Sequence, residues 1–192
     1  MQKTIFIVMQ VACAIALGGC AWVPQKAELK VSPNISASAV GKGVTVAVRT
    51  IDARPSQTIG HRGLDSKNAE ITTEANVKEI FDESIRQGLA KKGFTAVRYE
   101  GQPGRLLTVE VRRIEYTTDM EFWKGIARTE AVLNASMVKD GMKFEQNYTG
   151  KRTESIVEAP RASTNDRLIK GGISDAVQKM FEDEALIRYL VE

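Results

Sequence analysis

Reactive side chains are scarce in this chain: two cysteines, Cys13 and Cys20, and one histidine, His61, among 192 residues. That scarcity excludes much chemistry. His61 alone, in Gly60-His61-Arg62-Gly63, cannot anchor a zinc site without cysteine partners, and no orienting motif completes a serine triad around it. It reads as an exposed loop histidine, and no metal site is expected. Charge of one sign is also lacking. Lysine and arginine total 27 against 24 acids, a net charge of +3, far from the concentrated basic face of a nucleic-acid binder. Beyond the N-terminus no apolar run approaches membrane-spanning length, and there is no internal repeat or low-complexity tract. The sequence has no G-x-S-x-G, no H-E-x-x-H, no phosphate loop and no dinucleotide fingerprint. Ser136-Met137-Val138-Lys139 matches S-x-x-K, but that chemistry needs a helical turn, and here the four residues read as strand, where positions three apart point to opposite faces. The carboxylates are scattered. No catalytic centre is expected, and no cofactor.

The first residues do carry a signal. Lys3 precedes an apolar run from Ile5 to Leu17, interrupted by Gln10 and ending in Leu17-Gly18-Gly19-Cys20. The run is too short to span a bilayer as a mature helix and has the layout of an export signal. Its end resembles a lipobox, the cleavage site of bacterial lipoproteins. Small residues at Gly18 and Gly19 let an extended backbone enter a protease cleft, and the Cys20 thiol takes the diacylglyceryl group. Residues 1–19 are therefore expected to be a signal peptide, and Cys20 to carry S-diacylglycerol and N-palmitoyl groups. Removal takes away Cys13, one lysine and no acid, so the mature chain keeps one cysteine and forms no internal disulfide. Acylation accounts for that lone thiol, and two or three acyl chains anchor a protein stably where one does not. By resemblance to the enteric sorting rule, Ala21 in place of aspartate favours the outer membrane, with the domain facing the periplasm.

Residues 20–27 read as a lipidated tether and 28–192 as one domain, a length that fits a single core. Leu29 and Val31 alternate with polar neighbours, as a first strand would, and Val44, Val46 and Val48 do the same over Gly43–Ile51. Asp52–Thr73 is long for a loop and is expected to hide a short element near Ala69–Thr72. A helix follows, with Thr73 as its expected N-cap, a stripe of Val77, Ile80, Phe81, Ile85 and Leu89, and Gly93 as its left-handed terminator. Ser84 and Gly88 on that stripe allow close packing. Phe94–Tyr99 reads as a strand, Gly101-Gln102-Pro103-Gly104 as a turn, and the phase change from Leu107, Val109 and Val111 to Ile114 and Tyr116 as a bulge near Arg112-Arg113. Ala127 to Met137 and Met142 to Tyr148 form a hairpin around Asp140-Gly141. A second helix from about Asn165 carries Ile169, Ile173, Ala176, Val177, Met180 and Phe181, and a last turn packs Ile187 and Leu190. The expected fold is α+β: a mainly antiparallel sheet with two principal helices packed on one face, in a single domain.

Leu29-x-Val31-Ser32-Pro33, the strand Val44–Val48 leading into Asp52-x-Arg54-Pro55, then Ile59-Gly60 and a helix ending in Lys92-Gly93-Phe94 together resemble the YajG family of bacterial lipoproteins. The resemblance covers nearly the whole mature chain and implies an outer-membrane lipoprotein of α+β fold with no established biochemical activity.

Two segments qualify as binding sites. Arg54 in Asp52-Ala53-Arg54-Pro55 could meet an anionic headgroup or a partner carboxylate; the competing expectation is that Asp52 caps the turn and pairs with Arg54 while Pro55 stiffens the exit. Phe122 and Trp123, between two strands, could grip a partner or dip into lipid, or fold back over the sheet edge. The functional expectation is a non-enzymatic binding or accessory protein that meets the membrane through its lipid and contacts an envelope protein or lipid partner, with no role for nucleic acid. The alternative is a lipid- or glycolipid-handling domain with an apolar cleft between sheet and helix.

Overall fold

The computed structural model describes residues 23–62, 69–101, 104–121, 124–139, 142–157 and 160–192. Their elements, in chain order, are β1 (Gln25–Lys26), β2 (Thr45–Asp52), β3 (Thr58–His61), β4 (Glu70–Thr72), α1 (Val77–Lys91), β5 (Thr95–Arg98), β6 (Leu106–Glu121), β7 (Lys124–Lys139), β8 (Met142–Ile156), α2 (Ala162–Glu182) and α3 (Glu184–Val191).

Three long strands, β6, β7 and β8, form an antiparallel meander. The free edge of β6 is shared by two shorter groups. Its first half pairs with β2, which β5 flanks on the far side, and Tyr116 further along pairs with Gly60 of β3, beyond which lie β4 and β1. The result is α+β, but the sheet is mixed rather than mainly antiparallel: among the described residues four ladders run parallel and three antiparallel. The reason lies between β5 and β6. These strands are not a hairpin; both run parallel to β2, one on each side of it. Between the end of β5 and the start of β6 the chain therefore passes from one side of β2 to the other, and Gly101 and Gly104, at φ 91° and 136°, supply bends that a side chain would resist.

Alternation then sets the layers. Val46 and Val48, Leu107, Val109 and Val111, and Ala127, Ala131, Leu133, Ala135 and Met137 point to one face and are buried. The expected bulge is present as a register shift between Val111 and Arg113, and beyond it Ile114 and Tyr116 regain the buried face. α1 covers β2 and β5, and α2 covers β6, β7 and β8. Both expected stripes face the core: Phe81, Ile85 and Leu89 on α1, and Ile169, Ile173, Ala176, Val177 and Met180 on α2, are fully buried. Each such aliphatic or aromatic side chain contributes on the order of 1.5–3 kcal/mol by leaving water.

Glycines bring the layers into backbone contact. A Cβ at Gly150 of β8 would stand 2.0 Å from the Gly172 carbonyl oxygen of α2, and one at Gly88 of α1 would stand 2.4 Å from the Phe181 ring.

Three local expectations are corrected. α1 starts later than expected: Asn76, not Thr73, is the N-cap and accepts from the Glu79 amide at 3.2 Å, while Thr73 closes a turn by accepting from Ala75 N–H. Leu29 and Val31 are not in a strand. That segment continues across the helix layer, where Ser32 N–H donates to Ser174 Oγ at 2.9 Å and Ser38 N–H to the Lys91 carbonyl at 2.9 Å. Its alternation arises because one side rests on the helices, burying Leu29 and Ile35. Finally, Gln25 and Lys26, assigned above to the tether, already pair with β4, so the folded part reaches back beyond residue 28. The Asp140-Gly141 turn and residues Gln102 and Pro103 lie outside the described residues.

Candidate functional site

The corner after β2 is where the sequence placed its most distinctive charged pair. Asp52 ends β2 opposite Val111, and the chain must step along the edge of β6 before Gly60 meets Tyr116. At that step Arg54 Nε and Nη2 donate to the two Asp52 carboxylate oxygens at 2.8 Å each, and the Arg54 amide adds a bond of 3.3 Å. This bidentate fork fixes the guanidinium, and the Arg54 side chain is only 5% exposed. The hydrogen bonds from Arg54 hold the Asp52 carboxyl below its ordinary value against an opposing cost of burial. Both members of the pair are thus brought together, in the turn-forming arrangement. Arg54 Nη1 is buried without a hydrogen-bond partner.

Beside this pair the sheet has a seam. β3 touches β6 only at Gly60↔Tyr116, and a Cβ at Gly60 would sit 2.0 Å from the Tyr116 carbonyl oxygen, so only glycine permits that approach. The seam opens into a cleft of about 450 Å³ lined by Arg54, Pro55, Thr58, His61, Arg113 and Glu115, among others. His61 is exposed, at the end of β3 rather than in a loop.

A second constellation was not anticipated. Tyr116 donates to Asn165 Oδ1 at 2.7 Å, Asn165 donates to Gln25 Oε1 at 2.8 Å, and Gln25 donates to Asp166 Oδ1 at 2.8 Å and to the Ala162 carbonyl at 3.1 Å. This chain of bonds fastens β1 to the start of α2 and to β6. Burial pushes the Tyr116 phenol up, so it stays a neutral donor, and burial also raises the Asp166 carboxyl. Arg62, itself buried, donates to the Val23 carbonyl at 3.2 Å. No sequence signal joins residues about 140 positions apart, and Gln25 and Asn165, next to Lys26 and Asp166, do not stand out from their polar neighbours in the sequence.

A groove of about 560 Å³ lies at the corner of α2 and α3, where Val40, Phe181, Ile187 and Val191 are rimmed by Lys42 and Arg188. It opens on the helix layer, not between helix and sheet. Among the described residues no group of His, Cys, Asp and Glu is placed to hold a metal ion, and no helix is long and apolar enough to cross a membrane. Ser136 and Val138 lie within β7, as the strand assignment required. Cys20, Phe122 and Trp123 lie outside the described residues.

A family model for an uncharacterized lipoprotein, Lipoprotein_16, matches residues 31–191. The chain belongs to the YajG-type lipoprotein family. A comparison with curated proteins gives no match. Among solved structures, this YajG-type chain is similar to one named as a neuraminyllactose-binding hemagglutinin homolog from Helicobacter pylori, 8% identical over 86% of this chain and 96% of that one, with a TM-score of 0.49. It is also similar to a PelC dodecamer from Paraburkholderia phytofirmans, at 21% identity over 74% and 92% with a TM-score of 0.35. A third is lipoprotein GNA1162 from Neisseria meningitidis, at 10% identity over 58% and 83% with a TM-score of 0.29. None of these likenesses bears on what the YajG-type chain binds.

Proposed function

We propose that this lipoprotein is held in the outer membrane by diacylglyceryl and palmitoyl groups on Cys20, faces the periplasm, and acts without catalysis by binding another envelope component at its surface. Residues 1–19 act as the signal peptide. The observation that carries the choice between surface binding and lipid handling is the filled interface between helices and sheet. Phe81, Ile85, Leu89, Ile169, Ile173 and Val177 are all fully buried there, and Gly150 and Gly172 bring α2 onto β8 with no space for even one added carbon. Among the described residues that layer offers an acyl chain no seat, which counts against a sheet-helix lipid cleft. The concavities described above open at the surface, and the seam beside Asp52 and Arg54 is the candidate seat. Phe122 and Trp123 stay as proposed contacts between the ends of β6 and β7.

The test is cross-linking and co-purification of the lipidated protein from membranes. A wild-type chain should recover a defined envelope component, and Thr58→Trp, which fills the seam cleft, should lose it while melting like wild type. Arg54→Ala should lower stability, with binding falling in step, because its fork shapes the corner. Stoichiometric recovery of free lipid instead of an envelope component would favour the alternative.

A further inference from the structure

The register of the sheet fixes the direction in which the chain leaves β1 toward the N-terminus. Gln25 pairs with Ile71, Ile71 with Gly60, and Gly60 with Tyr116, so Gln25 and Tyr116 stand at one level. β1 is parallel to β4, β4 antiparallel to β3, and β3 parallel to β6. Moving from Gln25 toward the N-terminus therefore runs in the same direction as moving along β6 from Tyr116 to Glu121. That end of the sheet also holds Lys124, which pairs with Glu121, and the close of β8, where Ile156 pairs with Gly125.

Reach then becomes decisive. Cys20 lies five steps of the chain before Gln25, at most roughly 18 Å fully extended. The five steps along β6 from Tyr116 to Glu121 rise about 17 Å. Drawn out straight along the sheet, the chain brings Cys20 about level with the end of β6, and a shorter reach in that direction leaves the sheet end closer to the lipid. The chain cannot slacken from the domain side, because β1 is fastened through Gln25, Asn165 and Tyr116 and Arg62 grips the Val23 carbonyl.

The side chains at this end suit a headgroup layer. Val157, just past β8, is 93% exposed, and Val23 is 56% exposed. Lys124, paired with Glu121 at that end, and Arg161, next to the Ala162 carbonyl that accepts from Gln25, are both exposed and positively charged. Val138 and Met142, at 66% and 63%, lie at the opposite end of the meander.

We propose that the end of the domain formed by Val23, Lys124, Val157 and Arg161 is a membrane-contact surface that rests on the phospholipid headgroups, so that the domain stands on the bilayer with the α2–α3 corner pointing away. This rests on the lipid anchor at Cys20 proposed above. The mature lipidated protein, reconstituted into vesicles of phosphatidylethanolamine and phosphatidylglycerol, provides the test. Cys20 is blocked by its thioether and Cys13 leaves with the signal peptide, so Val157→Cys and Val138→Cys each give one site for an environment-sensitive dye. The dye at 157 should shift to the blue on vesicles and be quenched by brominated lipid, while the dye at 138 stays unshifted. Vesicle-bound protein with both dyes in a water-like environment, or with only the 138 dye quenched, overturns the contact surface and leaves the anchor standing. Protein that fails to stay on vesicles and takes dye at Cys20 overturns the anchor and the surface together.

Discussion

Two adjacent glycines in the middle of α2 should respond to alanine in opposite directions. A Cβ at Gly171 would meet Arg152 Cγ at 3.0 Å and Nε at 3.3 Å, atoms of a side chain that is 53% exposed and can swing aside. A Cβ at Gly172 would meet Thr129 Cγ2 at 2.7 Å, and Thr129 is 1% exposed beneath the helix. Replacing a mid-helix glycine by alanine gains roughly 0.5–1 kcal/mol from the unfolded chain's lost freedom. At Gly171 little opposes that gain beyond the long Arg152–Asp175 contact of 3.6 Å, an exposed pair of a kind that contributes about 0–1 kcal/mol. At Gly172 an ordinary carbon–carbon separation of about 3.5–4.0 Å requires α2 to lift by about 1 Å. Such overpacking costs about 1–3 kcal/mol and outweighs the propensity gain. With a shift of about 2–4 °C per kcal/mol at this size, Gly171→Ala should raise Tm by about 1–3 °C and Gly172→Ala should lower it by about 2–8 °C. Urea and thermal melts of the soluble Cys20→Ala chain from residue 20, followed by circular dichroism, give both values. Shifts of the same sign in the two variants would refute the close seating of α2 on β7.

The core stripe of α1 makes a larger demand: Phe81 is fully buried, so Phe81→Ala should cost about 3–5 kcal/mol in urea unfolding, and a near-native midpoint would mean that the stripe faces elsewhere. Acid should act through Asp52, whose carboxyl is held below its ordinary value by Arg54. Because the folded-state pKa is the lower one, that stabilisation is complete above the unfolded value near 4 and is lost as pH falls through the folded value. Asp52→Asn should therefore flatten the acid limb of the stability profile below pH ~4, and an unchanged limb would contradict the pairing.

Much of this fold could be read from local pattern, because burial leaves a period in the sequence. The helical stripes of α1 and α2, the alternation of β2, β6 and β7, and the bulge at Arg112-Arg113 each reflect one face meeting the core. Pairing direction was harder, since a strand's partner is not encoded within the strand. Gly101 and Gly104 announce a sharp change of path equally well in a hairpin or in a crossing of β2, and the hairpin is the commoner use. Leu29 and Val31 alternate like a strand because any extended segment resting on a surface buries every second side chain. At the site, Asp52 and Arg54 were legible because a two-residue spacing makes the contact local. The bonds from Gln25 to Asn165 and Asp166 join distant parts of the chain and exist only once β1 has docked beside β4.

A lipid-anchored domain beginning at Cys20 is tested most directly by the intact mass of the protein extracted from washed outer membranes. That mass should be the mass of a chain lacking residues 1–19, with Cys20 carrying a diacylglyceryl group and an amide-linked acyl chain. A protein from that fraction that keeps residues 1–19, or starts at Cys20 with a free thiol, would contradict it.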